Sequence, residues 1–313
     1  MIDILKKTVS EFSKDSCAAM AAALAYYAVF SLPALLVVVI SVAGLVYSPE
    51  QVQAQLESQI GSTIGANAQG QISTMISNAS QPGRGLWGTV VGTAILLFGA
   101  TGFGAQLQQA LNLAWEVQPD PDRGGIRNFL MKRLLSLAMV LAIAFLLLIS
   151  LVITTALNAF GDWINGVTPA GWNQTTFMVL NVVASFVIVA LLFAAIFKVL
   201  PDAKIHWRQV AIGATFTAAL FMVGKFALGL YLGGDKMQST YGAAGSLVLV
   251  LAWIYYSSMI LLLGAEFTQV WARRHGEQIE PDDHAVRIVR TVRTEKGTEK
   301  GTEKGTEKDD EAA

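Results

Sequence analysis

Five stretches of the chain contain no Asp, Glu, Lys or Arg: residues 16–49, 85–115, 134–161, 163–197 and 237–265. Each exceeds the roughly 20 apolar residues that carry a helix across a bilayer. A sixth stretch, residues 209–232, is interrupted only by Lys225. Lipid offers no partners to backbone amides, so spans of this kind close their hydrogen bonds internally as helices. The pattern predicts an all-α, polytopic membrane helical bundle of about six transmembrane helices, near 18–47, 86–112, 134–159, 176–199, 209–232 and 242–270.

The connections carry patterns of their own. Ahead of the first span, Ile4 or Leu5, Val9 and Phe12 recur at helical spacing among Lys6, Lys7, Glu11 and Lys14. That is the pattern of a helix at the membrane surface, and equally of a solvated helical lead-in. The connection over 48–85 opens with Ser48, Pro49 and Gln51, a cap, a first-turn proline and a capping-box partner, followed by Val52, Leu56, Ile60 and Ile64 on one face. Gly61, Gly65 and Gly70 predict a break before a second short helix around Ile72, Met75 and Ile76. This external helical segment would cap the bundle, bind a partner or rest on the outer leaflet. Past residue 275 the chain becomes charged and repeats Thr-Glu-Lys-Gly from Thr294, Thr298 and Thr302. The expected domains are therefore a membrane unit over 1–275 and a disordered charged tail over 276–313.

Composition agrees with the periodicity: 53% of residues are hydrophobic and 14% charged, where soluble domains carry about 25% charged residues. The mean hydropathy is +0.50. The formal net charge of -1 conceals a sorting by loop. Lys6, Lys7, Lys14, Arg123, Arg127, Lys132, Arg133, Lys198, Lys204, Arg208, Arg273 and Arg274 fall in one set of connections, and only Arg84 and Lys236 in the other. Positive charge stays on the cytoplasmic side, so both termini are expected there, which requires an even number of spans.

The same residues narrow the chemistry. A lone cysteine, Cys17, and three scattered histidines give neither a disulfide framework nor a metal-ligand spacing, so no metal and no cofactor are expected. Walker A, HExxH, dinucleotide-binding and nucleophile-elbow sequences are absent, and the reading is of a protein that is not an enzyme. Polar groups within spans are costly and stand as candidates for a transport path or a buried network. They are Lys225 in span five, Glu266 near the inner end of span six, Asn112 and Gln109 with Gln108 at the inner end of span two, and Asn181 in span four. Lys198, at the inner end of span four, is placed to neutralise Glu266, while Lys225 would snorkel, pair with an acid or meet an anionic substrate. Pro33 marks a candidate hinge in span one. Gly88, Gly92, Gly99, Gly102 and Gly104 give span two a face suited to close helix packing, within the chain or in a homo-oligomer.

Ala25-Tyr26-Tyr27, Phe30-Ser31-Leu32-Pro33, Leu111-Asn112 with Trp115, Pro201 with Trp207 and Gly213, Tyr241-Gly242-Ala243, Trp253 with Tyr255, and Gly264-Ala265-Glu266 follow one another in order. Over roughly residues 10–275 this series resembles the YihY/BrkB family of bacterial membrane proteins, once labelled ribonuclease BN. The resemblance implies a six-span protein of the bacterial plasma (inner) membrane, similar in outline to a transporter or flippase of a lipid, amphiphile or small solute. A noncatalytic membrane scaffold that binds partners is the alternative. Its partners would be membrane lipids and such a substrate, with no nucleic acid, because no metal-binding carboxylates lie beside a basic groove.

Overall fold

The computed structural model describes residues 2–43, 48–64, 66–79, 102–121, 172–232 and 245–288. Predicted span three, most of span two, Tyr241, Gly242 and the repetitive tail lie outside them.

The chain opens with α1 (Ile2–Lys14) and α2 (Cys17–Ala43), bent by 63° at the junction. Ser16 makes the bend: its φ of 53° ends α1, and its carbonyl accepts from Ala19 N (2.9 Å) and Met20 N (3.1 Å) to start α2. α1 buries Ile4 against Phe267 and Val270 of the last helix and leaves Ile2, Leu5 and Val9 exposed. These exposed apolar residues face away from the bundle. α2 runs 27 residues, about 40 Å at the helical rise, with Pro33 inside it.

Within the connection over 48–85 lie α3 (Pro49–Ile64) and α4 (Ala66–Ala79). Ser48 caps α3 through Gln51 N (3.3 Å to Oγ), with Pro49 at the first helical position, and the two helices separate at the expected break. Ile72 and Ile76 of α4 are buried with Val250, against Val29, Leu32, Leu36, Ile40 and Ile254, so α4 wedges between α2 and the last helix.

Helix α5 spans 102–114 among the described residues. It runs into β1 (Val117–Pro119). Next come α6 (Trp172–Val199), β2 (Ala203–Lys204), α7 (Trp207–Leu232), α8 (Gly245–Arg274), β3 (Glu280–Pro281) and β4 (Ala285–Arg287). Among the described residues, three helical segments are long and apolar enough to cross a membrane, Val182–Val199, Trp207–Ala227 and Leu247–Arg274, and the bent α1–α2 pair makes a fourth if it is taken as one span. Helix α6 packs on α7, α7 on α8, and α8 on α2. Lipid removes most of the hydrophobic drive for helices to associate, so close packing carries the contact. At the α7–α8 crossing it comes in part from two matched Gly/Thr pairs. Thr217 Oγ1 donates to Gly213 O and Thr268 Oγ1 to Gly264 O, each at 2.7 Å. A methyl group at Gly213 would overlap the Thr268 hydroxyl, and one at Gly264 the Thr217 hydroxyl. Phe216 of α7 stacks on Phe267 of α8 at 3.9 Å.

The boundary drawn at residue 275 moves. Residues 276–288, expected within the disordered tail, fold back onto the basic end of the bundle. β4 pairs antiparallel with β1 (Val117↔Arg287), and β3 with β2 (Ala203↔Pro281). Gly276, at φ 75°, ends α8 in a Schellman turn: Glu277 N donates to Ala272 O (3.0 Å) and Gly276 N to Arg273 O (3.3 Å). Ile279 then plugs into the core beside Leu200 and Ile205. Strands of two and three residues are too short to register as an alternating pattern, and the charged residues around them read as a solvated tail.

Candidate functional site

Buried Gln108, Asn112, Gln209, Glu266 and Gln269 lie toward the basic end of the bundle. Glu266, on α8, is fully buried. Its Oε1 accepts from Cys17 Sγ at 3.5 Å, and the Asp15 carboxyl at the α1–α2 bend lies within hydrogen-bonding reach. Lys198 does not supply the neutralising charge that its depth suggested. Its Nζ donates to Ile205 O (2.5 Å) and sits 5.6 Å above the Trp207 ring, closing the turn between α6 and α7. Among the described residues, Glu266 therefore has acids and a thiol as polar neighbours, and no cation.

Beside Glu266, Trp115 Nε1 donates to Ala265 O at 3.0 Å, which pins α5 to α8. Asn112 and Gln108 are buried one turn and two turns before Trp115, but they do not join Glu266. They hold Asp202 instead. Asn112 donates to Asp202 Oδ2 (2.8 Å) and accepts from Asp202 N (2.8 Å), and Gln108 donates to Oδ1 (3.1 Å). The expected single cluster is thus two: a carboxyl–thiol group around Glu266, and an amide clamp on Asp202 that locks the α6–α7 turn. Asp202 was not singled out in the sequence because it lies outside the span in an ordinary Pro-Asp turn. Its one signal was its place between Pro201 and the next span, at the depth of the span-two amides.

The other sequence candidates separate. Gln109 is exposed, one position off the clamp. Lys225 is exposed on α7 beside Val223 and Phe226, which are 69% and 70% exposed, so it lies on the outward face of the helix. Pro33 is half-buried inside α2, two residues after buried Ser31. Ala25 and Gly264 are buried packing positions, whereas Tyr26 is 60% exposed and contacts Tyr27 and Phe30. The side chain of Asn181 lies outside the described residues. No group of three or more His, Cys, Asp or Glu residues is placed to hold a metal ion among the described residues.

Among the described residues, three side-chain contacts fasten the strand cap and its flanking turns. Arg273 pairs with Glu116 (2.5 Å), Gln209 donates to Glu277 (2.7 Å), and Lys204 bonds Asp283. The hydrogen bond to Asp283, with the charges of Asp283, Asp282 and Glu280, raises the Lys204 ammonium above its ordinary 10.5. Partial desolvation opposes that increase without cancelling it.

The family model for virulence factor BrkB matches residues 8–289. The chain belongs to the BrkB family. Relatives named UPF0761 membrane protein are similar over most of it. That of Psychrobacter sp. strain PRwf-1 is 27% identical over 275 residues, covering 85% of this chain and 48% of the relative. That of Saccharophagus degradans is 28% identical over 265 residues (84% and 58%), and that of Alkalilimnicola ehrlichii 29% over 280 residues (87% and 58%). The chain spans about half the length of these curated relatives. No solved structure matches it. The chain is thus an integral membrane protein of the BrkB family, and the matched region ends just past β4, so the strand cap lies inside the BrkB region.

Proposed function

We propose that this BrkB-family chain is a six-span protein of the bacterial inner membrane, with both termini cytoplasmic, that moves an amphiphile, lipid or small solute without covalent catalysis. The observation that carries the reading is Glu266: a fully buried acid, with no cation in reach among the described residues, against the bent α1–α2 junction. A buried acid is expensive, and its retention within a span is a mark of ion or proton pathways. Glu266 with Asp15 forms the proton site in this reading. Movement of α1 at the Ser16 bend opens or closes the cytoplasmic side as that proton comes and goes. Lys225 serves as an anchor that reaches the headgroups from the outward face of α7.

The outward position of Lys225, and the mutual satisfaction of Asn112, Gln108 and Asp202, favour a second reading: a noncatalytic scaffold whose polar residues hold a rigid bundle for partners. Transport assays in proteoliposomes separate the two. Under an imposed proton gradient, wild type is expected to move fluorescent anionic lipid between leaflets, Glu266→Gln to lose that movement, and Lys225→Ala to keep it, each variant folding as wild type. A folded wild type that moves no labelled lipid under either gradient direction counts against lipid flipping. Movement that Glu266→Gln leaves intact removes the proton-site role.

A further inference from the structure

A cavity of about 320 Å³ opens at the basic end of the bundle, where α5 and α8 end and β4 crosses them. Its floor is the buried ring of Trp115, and its walls include Arg273, Arg287, Glu116, Gln269 and Gln278. The two guanidiniums are held differently. Arg273 spends Nη2 on Glu116 (2.5 Å) and on Gln269, whose amide, oriented to satisfy both ends, also donates to Ala114 O (2.9 Å). Its Nη1 and Nε have no partner among the described residues.

Arg287 donates Nη1 to Gln278 Oε1 (2.9 Å) and Nη2 to Ile279 O (2.7 Å). Both acceptors are neutral. Arg287 is therefore fixed in orientation while its charge meets no carboxylate among the described residues.

Two helix ends would ordinarily bias such a place toward cations. Here their terminal carbonyls are occupied: Ala272 O and Arg273 O by the Schellman turn, Glu116 O by Ile288 N, and Ala114 O by Gln269. What remains among the described residues is two guanidiniums against one carboxylate, in a polar recess. Glu116 sits there at φ 54°, a left-handed backbone that a residue other than glycine adopts at a cost, and that turn aims its carboxylate at Arg273.

We propose that this cavity binds a phosphate-class anion, with Arg287 as the principal ligand and the free edge of Arg273 as the second. Oriented guanidiniums suit the planar oxygen pairs of phosphate. The anion would come from solution or from a lipid headgroup at the membrane surface. The site is separate from the Glu266 carboxyls and does not depend on transport.

The test uses the full chain in detergent, titrated calorimetrically with inorganic phosphate and, separately, with dihexanoyl phosphatidic acid below its micellar concentration. Saturable binding of at least one probe is expected, weakened about tenfold or more in Arg287→Gln and partly retained in Arg287→Lys. Binding of phosphate assigns a soluble anion, and binding of phosphatidic acid alone assigns a headgroup. Gln278→Ala, which frees Arg287 from its acceptor, gives an independent weakening should Arg287→Gln unfold. Absence of saturable binding to wild type, or equal binding by wild type and the folded variants, overturns the proposal.

Discussion

Gly213 and Gly264 show how much a single hydrogen atom in place of a methyl decides. Each glycine accommodates the hydroxyl of a threonine on the facing helix, and each threonine is held by the carbonyl of the glycine four residues before it on its own helix. Enlarging either side forces α7 and α8 apart. Gly213→Ala and Gly264→Ala are each expected to destabilise the folded chain by about 1–3 kcal/mol, the usual cost of overpacking a close contact. Thermal unfolding in detergent reads this directly, with Gly70→Ala, which meets open space, as the control expected to change little. Both glycines were visible in the sequence as members of a motif series, but a motif gives no partner. That Thr217 and Thr268 complete the pairs follows only from the crossing, since threonine in a span reads as one more small residue. Glu266 was legible for its cost in lipid. Its neighbours were not, because Asp15 and Cys17 lie about 250 residues away in the chain and depth alone pointed to Lys198 instead.

At the scale of elements, hydrophobic run length located α2, α6, α7 and α8 well, because an uncharged stretch of that length has one stable outcome in lipid. Capping chemistry located α3, since Ser48 and Pro49 act locally. The destination of α4 was beyond such signals. Its residues are uncharged and only mildly apolar, and burial against α2 and α8 depends on a groove that exists only in the assembled bundle. Ile72→Ala and Ile76→Ala should each cost about 2–4 kcal/mol, as expected for large-to-small changes in a packed core. Exposed neighbours such as Thr74 should tolerate alanine. Limited proteolysis within 48–85, performed on intact and Ile76→Ala protein, is expected to become faster in the variant as α4 leaves the groove.

The whole molecule divides at a different place from the one that composition suggests. Charge density rises at residue 275, yet the folded unit continues through β4. Truncation after residue 289 is expected to leave the unfolding temperature of the membrane unit unchanged within error. Truncation after residue 275 removes β3, β4, Ile279 and Glu277 together, and should lower that temperature by a few degrees, the response of a unit of this size to a loss of about 1–2 kcal/mol. Equal unfolding temperatures for the two truncations would place the boundary back at 275.

The pairing of Val117 with Arg287 also fixes an order of events in the life of the chain. The two partners are separated by about 170 residues, so β1 leaves the ribosome long before β4 exists. At about 5–20 residues per second, roughly 10–30 seconds of synthesis pass between them. Throughout that interval the end of α5 is unsealed, and Glu116 waits for Arg273. The ladder forms only after α8, the last of the described helices, has entered the membrane. Closure of the strand cap therefore follows the synthesis of α8, and a chain that stalls before α8 presents an open β1 edge by which incomplete molecules differ from those that have reached β4.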